Sequence, residues 1–216
     1  MKKFAFLSMA IACVMLSVIA KAQLARNPGF IGGLQSGAAS GGGGGGCPAD
    51  GSPSTNTTGS TGYAFLPINS AEIYIGQNQW TDDGTPRTIC KVGFQLTKNS
   101  GDISGKTFTA YIYTNYSTGN FYINAGSPSA TSTGILGTNT WSGTMVRFSF
   151  PTPFTTTANQ QYAIVVNCGA EDGANNVQFD KGASSQITGY AEYFDAAGVP
   201  GLTSGTADVV MEIYWQ

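Results

Sequence analysis

The run MVRFSFPTPFTTTANQQYAIVVNC, from Met145 to Cys168, restricts the chain to very few architectures. Val146, Phe148 and Phe150 alternate with Arg147 and Ser149, which gives a strand one apolar face and one wet face. Pro151 and Pro153 then interrupt the ladder, because proline brings no N–H. Thr155 to Gln161 reads as a polar turn in which Asn159 tolerates the left-handed conformation. Gln161 to Cys168 follows as a nearly continuous apolar strand, as expected near the middle of a two-layer β core.

Similar short runs recur between polar, glycine-rich gaps. They are Ala71–Gly76, Arg87–Leu96, Thr107–Thr114, Phe121–Asn124, Val146–Phe150, Gln161–Cys168, Val177–Asp180, Tyr190–Phe194 and Asp208–Trp215. Gaps such as Lys98-Asn99-Ser100-Gly101-Asp102 are strong turn signals. No stretch holds a helical period, and β-branched and aromatic residues dominate the runs. Many short strands without helices predict an all-β sandwich or barrel.

The chain opens with Lys2 and Lys3, an apolar run from Phe4 to Ala20, and a small-residue cleavage site at Ala20 and Ala22. That is the pattern of a secretory signal peptide over residues 1–22, so the protein is expected outside the cytoplasm: extracellular, on the cell surface or periplasmic. A lysine-led signal of this kind looks bacterial. Residues 23–62, which include the glycine run Gly41–Gly46, are expected to form a flexible arm and linker, because they bury too little apolar surface to offset their ordering entropy. The folded module is expected over residues 63–216.

Loss of Lys2, Lys3 and Lys21 leaves seven basic against twelve acidic residues, a net charge of −5. With no basic cluster, nucleic acid is excluded as a partner. No second apolar run of spanning length exists, so no membrane contact is expected after cleavage. Three cysteines remain: Cys47, Cys90 and Cys168. Cys90 keeps phase with Val92, Phe94 and Leu96, and Cys168 with Tyr162, Ile164 and Val166. A Cys90–Cys168 bridge and two buried free thiols both fit this phase. Cys47, placed in the linker, is expected to be available for pairing between chains.

The chain has no histidine, which removes the commonest general base, the triads built on it and imidazole metal ligands. Glu192 and Glu212 lie in strand candidates and are the carboxylate pair to weigh for glycoside hydrolysis; surface carboxylates are the preferred reading, and no enzyme activity is expected. Asp82-Asp83-Gly84 and Glu171-Asp172-Gly173 are the loops to weigh for a structural calcium ion. Neither has a recognised calcium-loop spacing, and turn chemistry explains both. No metal or other cofactor is expected. Tyr111 and Tyr113 fall on the strand face opposite Phe108 and Ile112. With Asn115, Tyr116, Trp80 and Trp141 they form the candidate ligand-binding set, since glycan recognition needs aromatic planes beside polar partners.

The order of core strands carries a resemblance. Cys90-Lys91-Val92-Gly93-Phe94-Gln95-Leu96 is followed by Phe108-Thr109-Ala110-Tyr111-Ile112-Tyr113, Gly134-Ile135-Leu136-Gly137-Thr138 and Val146-Arg147-Phe148-Ser149-Phe150. Next come Pro153-Phe154-Thr155, Tyr162-Ala163-Ile164-Val165-Val166, Tyr190-Ala191-Glu192-Tyr193 and Asp208-Val209-Val210-Met211-Glu212-Ile213-Tyr214. This pattern resembles the extracellular jelly-roll modules called choice-of-anchor domains, which are similar to galactose-binding-like carbohydrate-binding modules. The resemblance covers most of residues 63–216 and implies a two-layer antiparallel jelly roll. It implies a secreted or surface-displayed, non-catalytic binding module whose partner is a glycan or cell-surface polymer. The alternative is a structural or adhesive protein of the envelope or an extracellular assembly. The resemblance carries over no ligand residues.

Overall fold

The computed structural model describes residues 46–59, 72–114, 122–167, 175–182, 186–195, 197–200 and 207–216. The strands are β1 (Thr55–Asn56), β2 (Glu72–Thr81), β3 (Thr88–Ser100), β4 (Thr107–Tyr113), β5 (Ala130–Thr131) and β6 (Ile135–Leu136). They continue with β7 (Thr144–Thr155), β8 (Gln161–Asn167), β9 (Asn176–Phe179), β10 (Tyr190–Asp195) and β11 (Met211–Trp215). All pairings are antiparallel. One sheet has the order β1-β11-β3-β7, with β9 against β3; the other has β10-β2-β8-β4-β5, with β6 against β4. The chain thus crosses between sheets in the manner of a jelly roll, a double-sheet arrangement of two Greek keys.

The alternating apolar residues face each other between the sheets. Val92, Phe94, Leu96, Val146, Phe148 and Ile213 meet Ile75, Phe108, Ala110, Ile112, Ile164 and Val166 in one buried cluster. Phe94 packs edge-to-face on Phe148 and Phe179, with ring centroids 6.3 and 5.9 Å apart. Each such side chain contributes about 1.5–3 kcal/mol by leaving water. Asn159 has φ 60°, the left-handed turn residue expected between β7 and β8. Strand β7 continues through both prolines to Thr155, but residues 150–153 leave the ladder: Ser149 pairs with Lys91 and Phe154 with Ile89. The expected strand over Phe121–Asn124 is absent among its described residues, 122–124.

Two expectations are overturned at the N-terminal side. Residues 46–59 do not belong to a free linker. Thr55 and Asn56 form the first strand and pair with Ile213 and Glu212 on the open edge of β11. Short side chains complete that edge: the Met211 N–H donates to Thr57 Oγ1 (2.7 Å) and the Trp215 N–H to Ser54 Oγ (3.1 Å). Low apolar content hid this strand, because backbone and hydroxyl groups hold it rather than burial. The cysteine pairing differs too. Cys90 is bonded to Cys47 within the chain, so it does not bridge to Cys168 and Cys47 is not left over for a second chain. Cys168 lies outside the described residues. The reason is a bulge: on β3, Ile89 and Lys91 hold consecutive pairings with Trp215 and Tyr214, and Cys90 is skipped. Ile89 takes the core position, and the Cys90 sulfur is left to meet the N-terminal segment.

The same segment lies across the outer side of the first sheet. Lys91 Nζ donates to Asp50 Oδ1 (2.5 Å) and to the Pro48 carbonyl (3.1 Å) and sits 4.8 Å from the Tyr214 ring centroid. The Gly51 N–H donates to the Tyr214 hydroxyl, 3.2 Å away. That hydroxyl donates to Glu212 Oε2 (2.5 Å), and Arg147 grips the same carboxylate at 2.8 and 3.2 Å. The Glu212 hydrogen bonds raise the Arg147 pKa. At the far end of β3, Asp102 accepts from Ser104 Oγ (2.6 Å), Asn139 Nδ2 (2.8 Å) and the Ser104 N–H (2.9 Å). These bonds, led by the Ser104 hydroxyl and the Asn139 amide, hold its pKa at about 2 against an ordinary 3.8.

Two predictions follow from these fastenings. The bond spans 43 residues, so Cys47→Ser is expected to cost about 4 kcal/mol of unfolding free energy, read by urea denaturation without reductant. An unchanged midpoint would show that the staple contributes nothing. Asp102 is depressed, so its contribution is full above the ordinary carboxylate range and is lost as pH falls toward 2. Asn139→Ala should raise the Asp102 titration midpoint seen by NMR and flatten the fall in Tm between pH 4 and pH 2.

Candidate functional site

One end of the sandwich carries an open cleft of about 210 Å³, lined by Thr55, Trp80, Thr81, Asp82, Asp83, Arg87, Ile187, Thr188 and Trp215. It draws on both sheets: β2 and the turn after it, the start of β3, the end of β11 and the first strand. The turn is built by its acids. Asp82 Oδ1 accepts from the Gly84 N–H (3.0 Å) and its Oδ2 from Thr156 Oγ1 (2.8 Å). Gly84 adopts φ 88°, which suits glycine because it lacks Cβ. The Asp-Asp-Gly sequence thus works as turn chemistry, and Asp82 is buried in it. Asp83 is exposed and pairs with Arg87. Burial opposes ionisation of Asp83, but the Arg87 charge and the Thr85 N–H outweigh it, and its pKa lies below the ordinary value.

Arg87 is the centre of the cleft. Its guanidinium carbon lies 4.1 Å from the centroid of the Trp215 ring, a cation–π contact. Its Nη2 is given to Asp83, while its buried Nε has no hydrogen-bond partner among the described residues. The opposite wall is fixed from inside. The fully buried Asp208 accepts from Gln77 Nε2 (2.6 Å) and from the Gln186 and Ile187 N–H groups. Gln77 also donates to the Thr188 carbonyl (3.1 Å), and Thr188 Oγ1 donates to the Thr81 carbonyl (2.8 Å). A bulge in β2 between Gln77 and Trp80, with Gln79 at φ 54°, turns Trp80 onto Tyr162. The cleft therefore offers an indole, a guanidinium, a carboxylate and several hydroxyls on a rigid frame. A second groove of about 290 Å³ between Pro128–Thr131 and Pro151–Phe154 has no charged side chain in its lining.

Compared with known proteins, the chain matches no family model and no curated protein. The arrangement of its own residues must carry the functional argument.

The expected aromatic face is largely covered. Tyr113 is fully buried and Tyr111 half-buried; Tyr74 packs edge-to-face on both, and the two are tilted against each other, with centroids 6.0 to 6.2 Å apart. Ile123, Ala163, Val165 and Phe194 complete this second apolar layer on the outer side of the second sheet. Burial pushes the Tyr113 phenol pKa up. The signal was in β8, whose unbroken apolar run requires cover on both faces. Trp141 packs on Phe108 at 5.1 Å inside the core, and Trp80 presents little surface to the cleft. Asn115, Tyr116, Glu171, Asp172 and Gly173 lie outside the described residues. Glu192 and Glu212 do not share a face: Glu192 is buried on β10 of the second sheet, where it accepts from Asn78, and Glu212 is on β11 of the first. Among the described residues no group of three acidic or cysteine side chains is placed to hold a metal.

Sequence reading missed Arg87, Asp83, Thr188 and Trp215 as partners. Only the phase of β11, with Ile213 inward and Trp215 at the strand end, hinted that an indole stands at the sandwich rim. Asp82 holds the turn through buried hydrogen bonds, so Asp82→Ala should cost about 1–3 kcal/mol in chemical denaturation. Asp82→Asn should recover part of that loss, because it retains an acceptor for the Gly84 N–H. Equal losses in the two variants would refute this role.

Proposed function

We propose that the protein is an exported, non-catalytic jelly-roll binding module that recognises a glycan, with the cleft around Arg87 and Trp215 as its site. The observation that carries this reading is the cleft itself. It joins an aromatic ring, an ion pair and the hydroxyls of Thr55, Thr81 and Thr188, the mixture of apolar and hydrogen-bonding groups that a polyhydroxylated ring requires. Its volume of about 210 Å³ lies below the ~300–1,000 Å³ of drug-sized pockets and suits a terminal sugar of a chain. The strand order supports the resemblance to choice-of-anchor domains and carbohydrate-binding modules. The Cys47–Cys90 bond supports export, because such bonds persist in oxidising compartments. The signal-like residues 1–22 and the sparse charge of the chain point the same way.

The reading is tested by retention of the signal-cleaved protein on a panel of immobilised polysaccharides. Binding to at least one polymer is expected. Trp215→Ala and Arg87→Ala should each weaken it about tenfold or more, as removal of an anchoring side chain does. Tyr111→Phe, away from the cleft, should leave binding unchanged. No retention on any polymer, or retention undiminished by Trp215→Ala with the fold intact by circular dichroism, would overturn the proposal.

A further inference from the structure

We propose that the outer edge of β11 is a strand-accepting surface for a second copy of this chain. The Cys47–Cys90 bond keeps it filled by the chain's own first strand. This goes beyond glycan binding and does not rest on it. The edge is a complete template. The Ser54 N–H donates to the Ile213 carbonyl and the Thr57 N–H to the Met211 carbonyl, both at 2.9 Å. Met211 and Trp215 return their N–H groups to Thr57 Oγ1 and Ser54 Oγ, and Thr57 Oγ1 also donates to the Val209 carbonyl (2.5 Å). Every one of these contacts uses main chain or a short hydroxyl, so the identical segment of another copy makes them equally well.

Apart from its covalent link, the occupant is held by hydrogen bonds and one ion pair rather than by apolar packing. Pro48 to Thr58 reads PADGSPSTNTT, with no large apolar side chain, and its regular pairing covers only two residues, Thr55 and Asn56. The Asp50–Lys91 ion pair adds little, since Asp50 is largely exposed. The disulfide therefore sets which copy supplies the strand, by holding it beside its own β11. A dithiol reductant opens the bond by exchange. Its thiolate attacks Cys47 Sγ, which is more accessible than Cys90, and Cys90 leaves as a thiolate. The reductant's second thiol then resolves the mixed disulfide, so the protein gains two thiols and the dithiol becomes a cyclic disulfide. Once released, the strand exposes an edge with unpaired N–H and C=O groups, a state that favours pairing with another chain.

The test needs no variant. Unlabelled and ¹⁵N-labelled protein are mixed in equal amounts, reduced with a dithiol under native conditions, and reoxidised over a range of protein concentrations. The Cys47–Cys90 linked peptide is then read by mass spectrometry, and amide exchange is followed in β3 and β7. Peptides joining one light and one heavy chain are expected, rising with concentration toward about half of all such links, the random value for an exchanged dimer. Amides of β3 and β7 should stay protected throughout. Links that join only chains of the same label at every concentration would overturn the proposal. So would mixed links, or reduction itself, that occur only when β3 and β7 lose protection, because they would reflect unfolding rather than strand exchange.

Discussion

A two-layer sandwich leaves N–H and C=O groups bare along its outer strands, and the covering of those edges shapes the rest of this molecule. On the first sheet, β11 is covered by a two-residue strand and the hydroxyls beside it. On the opposite edge, β7 carries Pro151 and Pro153 in a segment that leaves the ladder, which blunts it against pairing. On the second sheet, β10 is closed by hydrogen bonds from Ala191 to Ala207 and from Asp195 to Val199. There β4 is met in turn by β6 and β5. Among the described residues, the cover on β11 is the one held in place by a disulfide.

The outer sides of the two sheets are treated differently. On the second sheet, Tyr74, Tyr111 and Tyr113 with Ala163 and Val165 build a further apolar layer, so its surface is spent on packing. On the first sheet, Lys91, Arg147, Glu212 and Tyr214 form a hydrogen-bonded polar network beneath the N-terminal segment. Among the described residues, neither side presents an open aromatic platform. At one end of the sandwich, residues from both sheets converge on the cleft around Arg87 and Trp215. There Asp208 and Asp82, both buried, use their carboxylates to fix loop backbone. The side chains that face the cleft stand on those loops and on the ends of β1, β2 and β11.

The core strands were legible because burial imposes a period on the sequence. Val92, Phe94 and Leu96, or Val146, Phe148 and Phe150, announce themselves by alternation. The left-handed Asn159 and the turn at Asp82-Asp83-Gly84 were legible because their chemistry is local. The first strand was not legible, since Thr55 and Asn56 and their neighbours carry no apolar pattern, and the two residues are strand only because β11 offers them an edge. The cysteine pairing was misread because alternation assumes an unbroken ladder, and a bulge at Cys90 breaks it. The tyrosines were misread because a period of two says which residues share a face but not whether that face is covered.

The all-β class, the inward residues and the positions of the main strands were written in local pattern, because each depends on side chains within a few residues of one another. Three features arise only on folding: the partner of Cys90, the membership of Thr55 and Asn56 in a sheet, and the meeting of Arg87 with Trp215. The last of these joins the start of β3 to the end of β11 across 128 positions of chain. Such contacts follow from strand order and register, which a local pattern does not encode.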